Sequence, residues 1–262
     1  MTIAVIYKWA PDAQEASVDT AGRVDFSRAK AQISDYDAVA IQVGRQLADA
    51  TGQGLVGLTV SGPAGGQPAA TKAALARGLD SVLVLADDGL DRLGPSAAAS
   101  LLAGLVGQLD EVGLVLAGDS SIDVGARMTP ALLAGQLGWA CLTDVERLDG
   151  SASQWSAQRT QPWGVETLSL TGPAVVALSP TAAPLKAPGM KDILAAGKKP
   201  VRLVGLAELG LTEPAAGQLK ATAHLTGPSR QGVVIDVSDP DAAAQALVAA
   251  LGQAGLLIEG RA

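Results

Sequence analysis

Reactive side chains are scarce in this chain of 262 residues, which has one cysteine, Cys141, and one histidine, His224. Cys141 cannot form a disulfide within the chain. A zinc site, or a nucleophile built from a cysteine and a histidine, would need more partners of these types than the chain contains. The N-terminus shows neither the basic start nor the apolar core of a signal peptide, so we expect a reducing, cytoplasmic setting.

Positive charge and long apolar runs are also in short supply. The 19 Lys and Arg residues against 26 Asp and Glu give a net charge of −7, which argues against a nucleic-acid partner because such proteins need a basic surface. No window approaches the roughly 20 apolar residues of a membrane helix. The chain does have 48% hydrophobic residues and 31 glycines, and this composition with clear patterning predicts a folded α/β protein.

Short apolar runs alternate with alanine-rich stretches of helical length. Residues with apolar positions three and four apart predict helices between the runs, and this alternation is typical of a parallel sheet covered by helices. The predicted strands are 2–7, 54–60, 81–85, 114–117 and 174–178, and the predicted helices are 37–50, 67–77, 96–109 and 127–137. The pattern predicts a doubly wound, mostly parallel sheet.

Two further parts of the chain depart from this alternation. The stretch from about Glu146 to Leu170, with a turn at Asp149-Gly150, predicts an antiparallel hairpin that extends the sheet at an edge. The proline-rich segment 180–200 predicts a projecting loop around a short helix. Asp239-Pro240 then opens an apolar helix that continues to Leu257, and this helix needs a partner surface. We expect a domain over 1–205 and a C-terminal arm over 206–262.

The loops after the strands meet at the carboxyl edge of such a sheet, where ligands usually bind. The loop from Gly118 to Thr129 is the most informative of them, because small and hydroxyl residues there let backbone N–H groups approach an anion at a helix N-terminus. The alternative is that Asp123 only caps the helix. A second glycine-rich turn, 61–66, lacks the endings of known phosphate loops, and Lys8 and Asp37 show no acid/base pairing.

Five segments, taken in order, resemble the beta subunits of the electron transfer flavoprotein family. Residues 5–12 resemble that family's first strand, although Tyr7 stands where a valine is usual. Residues 34–40 are similar to its Asn-Pro-x-Asp segment, with Ser34 and Asp35 as departures. Gly62-Pro63 followed by 74–80 matches a further motif, and Gly118, Ile122, Asp123 and Thr129 match its Gly-x-x-x-Ile-Asp loop.

The fifth segment, 184–201, resembles the family's recognition loop, in which an exposed apolar residue precedes an Ile-Leu-x-Ala-x-Lys-Lys run. The corresponding residues are Met190, Ile193, Leu194, Ala196, Lys198 and Lys199. By this resemblance Met190 would anchor a partner, a flavin-dependent dehydrogenase, and Lys186 and Lys191 would form a polar rim. An ordinary exposed loop is the alternative.

The resemblance implies an adenine nucleotide alpha hydrolase-like fold and an electron carrier subunit rather than an enzyme. An alpha subunit would supply most of the FAD site and would cover the C-terminal arm. The beta subunit would hold a second nucleotide, which is AMP in ordinary members and a second FAD in electron-bifurcating ones. The residues that would line this second site are Ile6, Ser34, Ser61, Asp123, Arg127, Met128 and Thr129.

Departures from the family pattern leave the ligand open among AMP, a second FAD and an empty site. Arg127 could pair with a phosphate or fill the pocket itself. Two rival functions share the fold: a stand-alone nucleotide sensor of the universal stress protein type, and an adenylating enzyme. This chain lacks the Gly-rich phosphate loop of the nucleotide sensors. Its Ser61-Gly62-Pro63 does not match the Ser-Gly-Gly-x-Asp-Ser loop of the adenylating enzymes.

Overall fold

Strands and helices alternate along most of the chain. The computed structural model describes residues 1–20, 22–151, 154–212 and 232–257. The strands are β1 (Thr2–Ile6), β2 (Trp9–Pro11), β3 (Ser17–Val18), β4 (Val24–Asp25), β5 (Ala31–Ile33), β6 (Gly54–Ser61), β7 (Ser81–Ala86), β8 (Val112–Gly118), β9 (Ala140–Val145), β10 (Arg147–Ser151), β11 (Gln154–Gln161), β12 (Gly164–Thr171), β13 (Ala174–Leu178) and β14 (Val201–Val204). The helices are α1 (Asp35–Thr51), α2 (Pro68–Ala76), α3 (Pro95–Val106), α4 (Thr129–Leu137), α5 (Met190–Ala196) and α6 (Pro240–Gln253).

A seven-stranded sheet forms the centre, in the order β14-β7-β6-β1-β8-β13-β9. Every pairing in it is parallel. The inner strands are apolar on both faces, as in β13, where all five residues are buried, because helices cover both sides of a parallel sheet. The predicted doubly wound α/β fold is confirmed.

Two apolar clusters lie on opposite faces of this sheet. Alternate side chains of β1 separate them: Ile3, Val5 and Tyr7 pack with α1 and α2, whereas Ala4 and Ile6 pack with α3 and α4. This is the period of two that a strand imposes on its side chains. The position of Ile6 therefore places it on the face that α3 and α4 cover.

The antiparallel region forms a sheet of its own. Strands β10, β11 and β12 make a separate three-stranded sheet, so the expectation that a hairpin extends the central sheet is wrong. The predicted turn at Asp149-Gly150 lies inside β10 instead. Trp155 of β11 is 1% exposed and joins the cluster beneath α1. The three-stranded sheet packs on a face of the fold because that contact buries its apolar side.

The two edge strands of the central sheet are β9 and β14. β9 pairs with β13, and β14 pairs with β7 at the opposite edge. The segment predicted as a projecting loop thus contains helix α5 and leads into a sheet strand. Ala183 and Ala196 of this segment are buried in the α1/α2 cluster, which fixes it against the core at both ends.

Two units divide the chain, residues 1–217 and 218–262. In the second unit, α6 begins after Asp239, whose carboxylate accepts hydrogen bonds from the N–H groups of Asp241 and Ala242 at 3.0 and 3.3 Å; no residue of α6 is buried. Residues 213–231 and 258–262, including His224, lie outside the described residues. The domain limits and the docking of the arm on a partner stay predictions.

No helix in the described ranges is both long enough and apolar enough to cross a bilayer.

Candidate functional site

The sheet order reverses between β1 and β8, because β1 is followed in space by β6 and β7 on one side and β8 by β13 on the other. Ligands bind at such a switch point, outside the carboxyl ends of the strands. A pocket of about 170 Å³ lies there. Its apolar wall includes Ile6, Val60, Leu90, Leu93, Pro95, Ala98, Leu102 and Met128, and its polar side includes Lys8, Asp37, Asp91, Asp119, Ser120, Ser121, Arg127 and Thr129.

Asp37 joins the ends of the two central strands beneath the pocket. In the first turn of α1, its carboxylate accepts from the backbone N–H of Lys8 at 2.8 Å and from that of Gly118 at 3.2 Å. Burial raises the pKa of Asp37 to about 7, although these two hydrogen bonds oppose the rise. A Cβ on Gly118 would lie 2.6 Å from the backbone of Tyr36. Glycine is therefore needed where β8 passes α1.

Lys8 is held at the pocket by Asp123. The Lys8 Nζ donates to Asp123 Oδ2 at 2.5 Å, and the other carboxylate oxygen of Asp123 is buried without a partner. Burial alone would raise the pKa of Asp123, but hydrogen bonds from Lys8 and Ser121 outweigh burial and lower it. Asp123 is therefore ionised near neutral pH.

Arg127 forms a second charge cluster on the same loop. One nitrogen, Nη2, donates to Asp119 Oδ2 at 2.6 Å and to Asp144 Oδ1. The two carboxylates raise the pKa of Arg127, whereas burial raises the pKa of Asp119 against the pull of Arg127. Arg127 has φ 54° and Asp144 φ 57°, so two residues other than glycine adopt the left-handed conformation around this contact.

Helix α4 begins at the floor of the pocket. Its N-terminus lacks a side-chain cap, so its first N–H groups are open to a ligand. The predicted helix start at Arg127 is wrong, since the left-handed conformation of that residue ends the loop and the helix starts at Thr129. An apolar wall facing backbone N–H groups suits a flat ring system that carries polar atoms at one end.

A comparison with family models gives a match over most of the chain. Residues 22–209 match the electron transfer flavoprotein domain, which covers more than half of the chain and includes the whole loop from Gly118 to Thr129. The chain belongs to the electron transfer flavoprotein family. Its resemblance to that family, predicted from five short segments, is thereby confirmed.

The electron transfer flavoprotein fold brings four of the predicted site residues together. Ile6, Arg127, Met128 and Thr129 line the pocket. Asp123 is not among the lining residues but holds Lys8, which is. Ser34, fully buried before α1, donates its backbone N–H to the Lys8 carbonyl, and its hydroxyl has no partner.

Ser61 is the last residue of β6 and does not line the pocket. Its hydroxyl donates to the carbonyl of Gly62 at 2.9 Å, and a Cβ on Gly65 would lie 1.9 Å from the same oxygen. The side chain is therefore occupied with the backbone of its own loop.

Sequence reasoning missed residues that the pocket uses. Leu90 and Leu93 follow β7 and form part of the apolar wall. The rule that carboxyl-edge loops bind ligands applies to this loop as well and could have found them. Asp119 follows Gly118 within the loop that was singled out, whereas the partner Asp144 in β9 carried no sequence signal.

The predicted docking residues lie on the surface of α5 and the segment before it. Met190 is 73% exposed, and Lys186 and Lys191 are exposed as well. Ile193 and Leu194 extend the apolar surface. Lys199 differs from them, because its Nζ donates to the carbonyls of Leu75 and Leu79 at 3.1 and 2.6 Å. Lys199 thus caps the end of α2 and fixes the base of α5.

Proposed function

We propose that this chain is the beta subunit of a heterodimeric electron transfer flavoprotein, in which an alpha subunit supplies most of the FAD site. The observation that carries the proposal is the family match across the pocket loop and α5. The pocket volume of about 170 Å³ supports it, because sites that enclose larger ligands run to about 300–1,000 Å³. This chain could enclose one ring system but no complete flavin dinucleotide.

The electron-carrying FAD, when bound, takes up and releases electrons between a flavin-dependent dehydrogenase and an acceptor. The residues of this chain need no acid, base or nucleophile for that task. Their role is to shape one wall of the assembly and to exclude water. The chain is accordingly an electron carrier subunit and acts on no substrate of its own.

A second ligand would occupy the pocket at the switch point. Its adenine ring would pack on Ile6 and Leu102, and its polar end would face the open N–H groups around Met128 and Thr129. The family's ligands there, AMP or a second FAD, both carry this adenosine part. The pocket size favours AMP, because a second FAD would have to extend outside this chain.

The partner dehydrogenase would dock on α5. Met190 is an exposed apolar side chain at the start of a helix whose base Lys199 holds in place. Apolar anchors surrounded by charged side chains are typical of interfaces where few residues carry most of the binding energy. Lys186 and Lys191 provide that rim.

Co-purification of the tagged chain from its native cells tests the subunit assignment. We expect a yellow complex with a second, larger chain, and nucleotide analysis of the eluate should show FAD together with AMP. Two FAD per pair would indicate the bifurcating type. A colourless lone chain that carries ATP would contradict the proposal and favour a nucleotide sensor.

Met190→Ala tests the docking surface. We expect it to lower kcat/KM for reduction of the complex by its dehydrogenase about tenfold, since an interface anchor contributes more than about 1 kcal/mol. Val165→Ala is the matched control, because Val165 is 71% exposed and Met190 73%. Equal rates for the two variants in a stopped-flow assay would place docking elsewhere. FAD content should be the same in both.

A further inference from the structure

Each cation that lines the pocket already has a carboxylate partner. The described lining contains two cations, Lys8 and Arg127. Lys8 is neutralised by Asp123, whereas Arg127 contacts two carboxylates, Asp119 and Asp144. With both carboxylates ionised, the Arg127 cluster therefore carries one net negative charge, on the loop whose N–H groups would face a phosphate.

A bulge and two left-handed residues in the backbone accompany the contact between Arg127 and Asp144. Along β13 the pairing moves from Val176 to Leu178, while along β9 it moves from Leu142 to Val145. β9 thus contains one extra residue, which is a bulge, and bulges redirect side chains. Asp144 lies in this bulge in a left-handed conformation, and Arg127 is left-handed too. Such conformations persist only where neighbouring contacts hold them.

The hydrogen-bonding chemistry of Asp119 also disfavours a phosphate. Asp119 lines the pocket, is 7% exposed, and leaves its Oδ1 without a partner. The oxygen of an ionised carboxylate can only accept. A ligand hydroxyl or amino group would satisfy it, whereas an ionised phosphate offers further acceptors.

We propose that the nucleoside part of the ligand carries the affinity of this pocket, that adenosine binds at least as tightly as AMP, and that Asp144 sets this preference by holding Arg127. The inference rests on the proposed nucleotide site and names the ligand class that the site prefers. Asp144 acts here as a positioning residue. The remaining N–H groups of Arg127 could reach a phosphate, but the two carboxylates beside them already outweigh the single positive charge of Arg127.

Isothermal titration of the purified complex, after removal of bound AMP, with adenosine and with AMP tests the proposal at about 20 and about 200 mM KCl, a range over which screening of exposed charges changes strongly. We expect adenosine to bind at least as tightly as AMP at both salt concentrations. Added salt should tighten AMP binding, because it screens repulsion, and should leave adenosine unchanged. A phosphate site with net positive charge would show the opposite sign.

Asp144→Asn tests the residue itself. Asparagine tolerates the left-handed conformation, so the fold should persist, which circular dichroism would check. Removing one negative charge near the phosphate should raise the affinity for AMP about tenfold and leave that for adenosine unchanged. Asp149→Asn is the matched control, because Asp149 is an exposed carboxylate paired with Arg147 on the neighbouring sheet.

The outcomes separate the two proposals. Tighter binding of AMP than of adenosine, weakened by salt, would overturn the inference and keep the nucleotide site. Failure of both ligands to bind would remove the site and the inference together. If Asp144→Asn did not fold, the sign of the salt effect on the unaltered complex would still decide.

Discussion

Asp37 shows how one buried carboxylate can organise a switch point. Its two oxygens accept from the backbone N–H of Lys8, two residues after β1, and from that of Gly118, the last residue of β8. The carboxylate thus satisfies both donors, and its burial leaves it with a raised pKa.

Asp37 should make stability depend on pH in a defined direction. Its pKa is about 7 when folded and about 3.9 in an unfolded chain. The stability it contributes is full below about pH 4 and is lost as the pH rises through about 7. Asparagine does not titrate, so Asp37→Asn should gain stability relative to the parent chain over that window, by about 1.4 kcal/mol for each unit between the two pKa values.

Urea unfolding of both chains at several pH values would measure this difference. The lost acceptor at the Lys8 N–H adds an offset that does not vary with pH. A difference in unfolding free energy that stays constant from about pH 4 to about pH 8 would show that Asp37 does not titrate in this range.

Among the elements, α5 and β14 act as one piece. Lys199 lies between them and donates to the carbonyl of Leu75 in the last turn of α2 and to that of Leu79 just after the helix. Ala196 is buried on the same side. The surface that carries Met190 therefore stands on a fixed base.

Lys199→Met should loosen this base. It removes two hydrogen bonds from a charged donor, so we expect a loss of about 1–2 kcal/mol in unfolding free energy. A protease that cleaves after apolar residues should also cut faster at Leu194. Lys198→Met is the control, because Lys198 is the adjacent residue and its side chain is exposed. Similar behaviour of the two variants in both assays would show that Lys199 does not hold α5.

The elements differ in how well the sequence predicts them. The inner strands β1, β6, β7, β8 and β13 were predicted because helices cover both faces and their residues form continuous apolar runs. The edge strands were missed. β9 is only half-buried and β14 has one buried residue, so neither has such a run. Pairing on one side with a distant strand determines them instead.

The site follows the same division. The loop from Gly118 to Thr129 was predictable, because strand ends and helix starts mark it in the sequence. The Arg127 cluster was not, since it depends on a bulge in β9 and on left-handed conformations at residues other than glycine. No residue type in the sequence indicates either the bulge or the left-handed conformations.

At the scale of the first unit, Trp155 connects the three-stranded sheet with the central sheet. It lies on the three-stranded sheet but packs in the cluster under α1 that also contains Ile3 and Val5 of the central sheet. The two sheets thus share one apolar interior. We expect residues 1–212 to unfold as one cooperative unit.

Trp155→Ala should lower the unfolding free energy by about 3–5 kcal/mol, because it leaves a cavity in this shared interior. Trp163→Ala should change it little, since Trp163 is 75% exposed at the end of the same sheet. Circular dichroism and fluorescence melts would measure both variants. Separate transitions for the two signals in the parent chain would show that the sheets unfold independently.

The place of β14 has a consequence for synthesis on the ribosome. Its partner β7 pairs with it through Val82 and Val201, more than a hundred residues apart in the chain. While the intervening residues are translated, β7 presents an open strand edge, and open edges invite pairing with other chains. The last strand to join the sheet is also the one that follows α5, so the docking surface is completed only when this edge has closed.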